Sequence, residues 1–261
     1  MSFHIIIPAR YQSQRLPGKV MADIAGKPLL ERVYERALLC GADSVTVATD
    51  DQRVFTWAKA KNIPVCMTRV AHNCGTERLS EAVEHLGLPD DAIVVNVQGD
   101  EPFVRPADIL QVVADLEQHS DAAAATLYVP LASIADLFNV NAPKIILDKK
   151  GYALYFTRSP APWDRDRFYW GMQENISLDA QVYFRHVGVY AYRAETLKKF
   201  INWQSAPIEE IEKLEQLRIL WNGEKICASL IGEMPLPGVD TPEDLFRLQA
   251  LAEADDLLFE I

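Results

Sequence analysis

Phe3-His4-Ile5-Ile6-Ile7-Pro8-Ala9-Arg10-Tyr11-Gln12-Ser13-Gln14-Arg15-Leu16-Pro17-Gly18-Lys19 is an apolar run followed by a basic, proline- and glycine-punctuated segment. The run Phe3–Ile7 reads as a buried strand, and the punctuation after it as a loop. From Pro28 to Cys40, Leu29, Leu30, Val33, Tyr34, Ala37 and Leu38 then fall on one helical stripe. The loop therefore sits at the carboxyl end of a sheet strand, where open α/β sheets bind ligands. It carries Arg10, Arg15 and Lys19 and no acidic side chain. Three cations on one loop repel one another unless an anion joins them. A triphosphate suits the set, because Arg clamps oxygens bidentately and Lys adds a compact point charge, and a merely solvated basic surface is the alternative reading of the loop taken alone. A Walker loop is excluded, since the glycine required five residues before Gly18-Lys19 is absent, and no G-x-G-x-x-G follows the strand.

The same rhythm continues outward. Ser44–Ala48 reads as a strand, followed by a helix to about Lys61, a short strand at Ile63–Cys66, a helix from Thr76 to His85 and a strand at Ala92–Val97. Pro106 suits the first turn of the next helix, and Ala122–Val129 gives another strand. Such alternation predicts an α/β fold with a mostly parallel open sheet and helices on both faces. After about residue 140 the pattern changes. Lys144–Leu147 and Tyr152–Phe156 flank Asp148-Lys149-Lys150-Gly151 as a hairpin. Residues 160–180, with Pro160, Pro162 and Gly171, read as a long loop. His186–Tyr192 alternates as a strand, and Pro207–Asn222 reads as one helix on which Ile211, Leu214, Arg218 and Trp221 mark packing. Thr241 is the N-cap of a last helix reaching about Asp255, with Pro242 at N1 and Asp244 at N3. The expected organisation is a core over 1–140, a smaller mixed α/β lobe over 141–235, and a C-terminal helix in 236–261 that returns to the core.

Composition limits the function classes. The chain has 261 residues, 26 Lys+Arg against 37 Asp+Glu and a net charge of −11, which disfavours nucleic acid and anionic membrane as partners. The charge is uneven. Residues 1–36 hold six basic and three acidic side chains, a net +3, whereas residues 207–261 hold four basic and thirteen acidic ones, a net −9. The longest uncharged run, Ala122–Ala135, has 14 residues and contains Pro130, short of a membrane span. No signal peptide is expected at the N-terminus, and Cys40, Cys66, Cys74 and Cys227 form no C-x-x-C. A cytoplasmic chain is expected.

Several blocks carry a family resemblance. Ile7-Pro8-Ala9-Arg10 through Arg15-Leu16-Pro17-Gly18-Lys19, then Gly26-Lys27-Pro28, resembles the signature of sugar-activating cytidylyltransferases. So do Cys74-Gly75-Thr76-Glu77-Arg78, Val97-Gln98-Gly99-Asp100-Glu101-Pro102 and Leu154-Tyr155-Phe156-Thr157-Arg158. His186-Val187-Gly188-Val189-Tyr190-Ala191-Tyr192-Arg193, Leu214-Glu215-Gln216-Leu217-Arg218 and Val239-Asp240-Thr241-Pro242-Glu243-Asp244 complete the set. The H-x-G-x-Y-x-Y-R block favours the branch acting on an octulosonate.

The resemblance implies a Rossmann-like nucleotide-diphospho-sugar transferase fold and attack of the anomeric 2-hydroxyl of 3-deoxy-manno-octulosonate on the α-phosphorus of CTP. Arg10, Arg15, Lys19 and Asp100 would be catalytic, and Pro8, Ala9, Ser13, Thr76 and Arg78 would complete the nucleotide site. Gln98, Arg158, His186, Tyr190, Glu215 and Gln216 would line the sugar site, with Arg158 meeting the carboxylate. Mg²⁺ would be held by Asp100 and Asp240. The partners would be CTP, an ulosonic acid and a second copy of the chain, in lipopolysaccharide biosynthesis. The family usually has Ser where this chain has Cys74. Bland readings stay open: Asp100 shaping the Gly99 turn, Asp240 starting a helix connection, Arg78 a surface charge, His186 a satisfied core histidine. Alternatives are an 8-amino octulosonate or sialic acid as substrate, a nucleotide-sugar glycosyltransferase lacking its Asp-x-Asp motif, and a nucleotide-sensing protein.

Overall fold

The computed structural model describes residues 1–13, 15–168 and 177–254. The expected end of the last helix at Asp255, and Gly171 of the long loop, lie outside them.

β1 (Phe3–Ala9) is central, and its three isoleucines show why. Ile5, Ile6 and Ile7 are all fully buried, which requires cover on both faces of the sheet. Ile5 and Ile7 pack into one core with α1 (Leu29–Leu38), α2 (Gln52–Ala60) and α4 (Pro106–Gln118). Ile6 points the other way, into a core with α3 (Gly75–His85) and α6 (Ala194–Phe200). The expected α/β architecture with helices on both faces is present.

β1 pairs in parallel with β4 (Ser44–Thr49) on one side and β6 (Ile93–Asn96) on the other. β5 (Val65–Met67) extends the β4 side in parallel. The chain thus leaves β1 in one direction and returns across it, so the loops after β1 and β6 diverge and leave a crevice between them. Beyond β6 the sheet is mixed. β10 (Phe184–Arg193) runs antiparallel to both β6 and β7 (Ala124–Pro130), and β11 (Ile226–Leu230) adds to β7 in parallel. The hairpin of β8 (Lys144–Leu147) and β9 (Ala153–Thr157) attaches to β10. Gly151 has φ +84° in its turn, as a tight hairpin demands. β10 and β11 therefore belong to the same sheet as the strands of residues 1–140. Strand and helix ends elsewhere depart from sequence expectation by at most two residues.

One helix is different. Pro207–Asn222 is not continuous: α7 (Pro207–Glu212) ends where Lys213 adopts a left-handed conformation, φ 53° and ψ 46°, and α8 (Leu217–Trp221) begins afterwards. The expected stripe fails for that reason. Leu214 and Arg218 are buried, but Ile211 and Trp221 are exposed, because the break rotates the two halves relative to one another. α9 (Pro242–Ala254) packs back on residues near the N-terminus, with Leu248 and Ala252 against Ile24 and Leu29. Its start is a reciprocal cap: Thr241 Oγ1 accepts from Asp244 N at 3.2 Å, and Asp244 Oδ2 accepts from Thr241 N at 3.0 Å. A single turn of 3₁₀ helix, Lys19–Met21, closes the basic loop.

Candidate active site

The crevice beside β1 is a cavity of about 500 Å³. Its floor depends on two close backbone approaches. A methyl group on Gly99 would lie 2.9 Å from the Pro8 carbonyl oxygen, so only glycine lets the loop after β6 seat against the end of β1. A methyl group on Gly238 would lie 2.7 Å from the Asp100 carbonyl oxygen, and Val239 N donates to that same oxygen at 2.9 Å. The stretch before α9 is thereby pressed onto the loop after β6, and Asp240 comes to face Asp100 although 140 positions separate them in the chain.

The basic loop folds over this floor. Gly18 N donates to the Tyr11 carbonyl at 2.8 Å, which brings the loop ends together and turns Lys19 inward. The Lys19 ammonium donates to Asp100 Oδ2, to Asp240 Oδ1 at 2.9 Å and to the Val239 carbonyl at 3.0 Å. Burial acts to lower its pKa, but the charges and hydrogen bonds of the two aspartates outweigh that and hold it above the ordinary lysine value. Arg15, largely exposed, pairs with Asp240 Oδ2 at 3.0 Å. Arg10, Gln12 and Ser13 line the same wall, and Arg10 Nη2 is buried without a hydrogen-bond partner. Behind them, burial and the negative charges of Asp100 and Asp240 push the Glu101 carboxyl up to about 8, so the site does not carry a third full negative charge at neutral pH.

The opposite wall is built from Asn73, Cys74, Gly75 and Gln98. Gln98 and Glu215 converge on Gly75, where an added methyl would meet Gln98 Nε2 at 3.6 Å and Glu215 Oε1 at 3.9 Å. Glu215 Oε1 also accepts from Thr76 Oγ1 at 2.7 Å. Cys74 has its pKa raised by burial first and by Glu215 second, so it remains a thiol beside that carboxylate. Asn73 and Cys74 are shared with a second cavity of about 500 Å³ that reaches Ser205, Lys213, Glu215 and Arg218. Gln216 is buried, with Nε2 lacking a partner.

The described residues fit a divalent cation in one specific way. Two carboxylates already converge on a single cationic atom, the Lys19 nitrogen, and Mg²⁺ takes one or two carboxylates together with substrate phosphates and water. Among the described residues no group of three or more His, Cys, Asp or Glu side chains could hold a metal by itself.

The cytidylyltransferase family model matches residues 4–226. The chain is 52% identical over 254 residues to a 3-deoxy-manno-octulosonate cytidylyltransferase of Vibrio vulnificus, covering 97% of this chain and 99% of the relative. The chain belongs to the cytidylyltransferase family. A relative of the same description from Aliivibrio fischeri is 52% identical over 251 residues, covering 96% and 99%. A solved CMP:2-keto-3-deoxy-manno-octonic acid synthetase complexed with CTP superposes with a TM-score of 0.85 at 38% identity, covering 97% of this chain and 99% of that one. A 4-diphosphocytidyl-2C-methyl-D-erythritol synthase from Anaerococcus prevotii, at 10% identity and TM-score 0.60, shares the fold alone.

In this cytidylyltransferase, Pro8, Arg10, Ser13, Arg15, Lys19, Asp100 and Asp240, expected at the nucleotide and metal, and Gln98, expected at the sugar, line the first cavity together. Other expected site residues sit elsewhere. Ala9 is buried, and its carbonyl accepts from Thr49 Oγ1 at 2.7 Å. Arg78 is fully buried behind the cavity rather than on a helix surface. It donates to Asp50 Oδ2 at 2.7 Å and to Thr68 Oγ1, leaving Nε unpartnered. Burial and nearby Arg10 lower its pKa while Asp50 raises it, and the net is downward.

The expected contact of Arg158 with a sugar carboxylate meets a competing arrangement. Its guanidinium donates to the backbone carbonyls of Glu212 at 2.6 Å, Val140 at 2.8 Å and Lys213 at 3.4 Å, and it lines neither cavity. It secures the turn that follows α7. His186 also lies beneath the cavity walls, with Nε2 3.0 Å from Thr126 Oγ1 and its ring edge-on to Phe156. Burial lowers its pKa to about 3, so the imidazole is neutral. Tyr190 stacks between His186 and Tyr192, at centroid distances of 5.3 and 5.5 Å. Gln12 and Asn73, both on cavity walls, escaped the sequence reading because neither carries charge or periodicity; adjacency to the quoted blocks was their only signal. No helix among the described residues is long and apolar enough to cross a membrane.

Proposed function

We propose that this cytidylyltransferase activates 3-deoxy-D-manno-octulosonate with CTP, giving CMP-octulosonate and pyrophosphate. The observation that carries the reading is the opposition, within one cavity, of a cationic loop and a polar wall: Arg10, Arg15 and Lys19 on one side and Gln98 beside Gly75 on the other, with Glu215 of the adjoining cavity reaching the same glycine. The names of the relatives agree with it.

The anomeric 2-hydroxyl oxygen, giving up its proton to solvent, forms a bond to the α-phosphorus while the bond from that phosphorus to the β-phosphate bridge breaks on the opposite side, and pyrophosphate leaves with the bridging oxygen and its electron pair. Such a displacement needs alignment and charge neutralisation more than covalent help. Arg10, whose Nη2 has no protein acceptor, and Arg15 hold phosphate oxygens as charge builds on them. Lys19 supplies a third cation. Glu215, fixed by Thr76 beside Cys74, accepts from sugar hydroxyls while Gln98 donates to the acid end. Asp100 and Asp240 would hold Mg²⁺, which when bound neutralises phosphate charge and acidifies a coordinated hydroxyl. Arg78, paired with Asp50 behind Arg10, keeps the loop's positive field directed into the cavity.

The protein acts in the cytoplasm as a homodimer. Val140, Leu154, Trp163 and Leu236 are exposed apolar side chains that a second copy would cover. Incubation with CTP, Mg²⁺ and a panel of ulosonic acids, following pyrophosphate, tests the reaction. Release with 3-deoxy-octulosonate but not with sialic acid or an 8-amino octulosonate is expected; release with neither octulosonate sinks the proposal. Asp100→Asn is expected to lower kcat/KM by about 100-fold or more across all Mg²⁺ concentrations, and normal turnover would overturn the metal assignment.

A further inference from the structure

An ammonium group has three protons to donate and accepts nothing. At Lys19 all three have acceptors within the protein: Asp100 Oδ2, Asp240 Oδ1 and the Val239 carbonyl oxygen. Nothing remains for a phosphate. One oxygen of each aspartate is taken up by that ammonium, Asp100 Oδ2 and Asp240 Oδ1, and the second oxygen of Asp240 pairs with Arg15 at 3.0 Å. The roles of Lys19 toward the triphosphate and of Asp100 and Asp240 toward a metal therefore compete for the same atoms.

The surroundings decide how the competition resolves. Two carboxylates facing each other need positive charge between them. The Lys19 side chain is largely shielded from water, 11% exposed, so its bonds are not diluted by solvent as those of Arg15, 65% exposed, are. A divalent cation arriving alone would meet the ammonium between the two carboxylates and, on displacing it, would find no third His, Cys, Asp or Glu ligand among the described residues. A triphosphate changes every part of this. It offers the ammonium a new anionic partner in the same cavity and supplies the oxygens that the cation otherwise lacks.

Resting on the metal reading above, we infer that Lys19 is the internal counter-ion of the Asp100–Asp240 pair and makes entry of nucleotide and divalent cation a joint event. The lysine leaves the carboxylates for the phosphate chain, and the cation takes its place. Coupling of this kind is reciprocal: whatever the nucleotide does for cation affinity, the cation does for nucleotide affinity.

The test measures Mn²⁺ binding to the full chain without nucleotide, by the electron-spin signal of free Mn²⁺ and by the Mn²⁺-induced change in Tm. Wild type is expected to bind weakly and to gain little in Tm. Lys19→Met, which removes the ammonium from both carboxylates and leaves Asp240 its exposed pair with Arg15, is expected to bind Mn²⁺ about tenfold tighter or more and to recover in Tm as Mn²⁺ is added. Lys19→Arg keeps a cation in place and is expected to match wild type. Should Lys19→Met melt too low to measure, Lys19→Gln carries the same comparison. A folded Lys19→Met that binds Mn²⁺ no tighter than wild type overturns the inference and leaves the metal reading standing. A gain that persists unchanged in the double variant Lys19→Met, Asp100→Asn places the cation off the carboxylate pair and sinks both.

Discussion

At the scale of single residues, burial decides charge states that residue type alone leaves open. His186 is the clearest instance. Its imidazole faces Thr126, Phe156 and Tyr190, with no carboxylate among these contacts, and burial lowers its pKa from 6.5 to about 3. The native state holds it neutral while the unfolded chain takes up a proton as pH falls through 6.5. Its contribution is thus intact above pH 6.5 and is lost progressively as pH falls toward 3, at roughly 1.4 kcal/mol per pH unit. Urea unfolding of wild type and His186→Gln at pH 7 and pH 5 isolates the effect, since other titrating groups are common to both. Wild type is expected to lose about 2 kcal/mol more than the variant between those pH values; equal losses would show that His186 is not held neutral.

At the scale of elements, the break between α7 and α8 shapes the second cavity, which Lys213, Glu215 and Arg218 line. A continuous helix over Pro207–Asn222 would send Glu215 and Gln216 along its own axis. The left-handed turn at Lys213 releases them, and Arg158 fastens that turn through the carbonyls of Glu212 and Lys213. A left-handed conformation costs a non-glycine residue about 1–2 kcal/mol, most for β-branched side chains. Lys213 is exposed and its pair with Glu210 lies on the surface, so backbone strain dominates any substitution there. Lys213→Gly is expected to be neutral or slightly stabilising, and Lys213→Val to cost about 1–2 kcal/mol. Denaturant titration gives the order. In a regular helix glycine would be the worse of the two, so the reverse order would mean that the turn is absent in solution.

At the scale of the whole molecule, one buried arginine joins the two sides of the site. Arg218 is 2% exposed. It donates to both oxygens of Glu209, at 2.9 and 2.6 Å, and to Glu77 Oε1 at 3.1 Å. Glu77 in turn accepts from Asn73 N at 2.8 Å, so the wall of the first cavity is tied to α7 and α8 through this one side chain. Removing a single member of a buried ionic network leaves the others uncompensated. Lys also lacks the planar fork that spans two carboxylates. Arg218→Met is therefore expected to cost about 3–5 kcal/mol, and Arg218→Lys to recover part of it, as measured by chemical unfolding. A loss below 1 kcal/mol in Arg218→Met would mean that the network does not hold the two sides together.

Much of this was legible in the chain itself. The apolar run at Phe3–Ile7, the helical stripe after Pro28, the Thr241–Asp244 cap and the Gly151 turn are local signals, and each element forms where its own residues demand. The charge of the basic loop was legible too, but its partners were not, since Lys19 and Arg15 meet Asp100 and Asp240 from distant segments. The central antiparallel strand and the break at Lys213 were not, and the meeting of Asp100 with Asp240 was expected only through the family resemblance, not from either segment's own pattern. They depend on contacts between distant segments: Gly238 against the Asp100 carbonyl, Arg218 against Glu77, and a sheet order that places β10 beside β6. Sequence by itself determined most of the strands and helices of the first 130 residues, the family and the inventory of charges. Only the tertiary structure decided which charges meet, because periodicity reports what one segment buries and carries no record of the backbone that a distant segment will press against it.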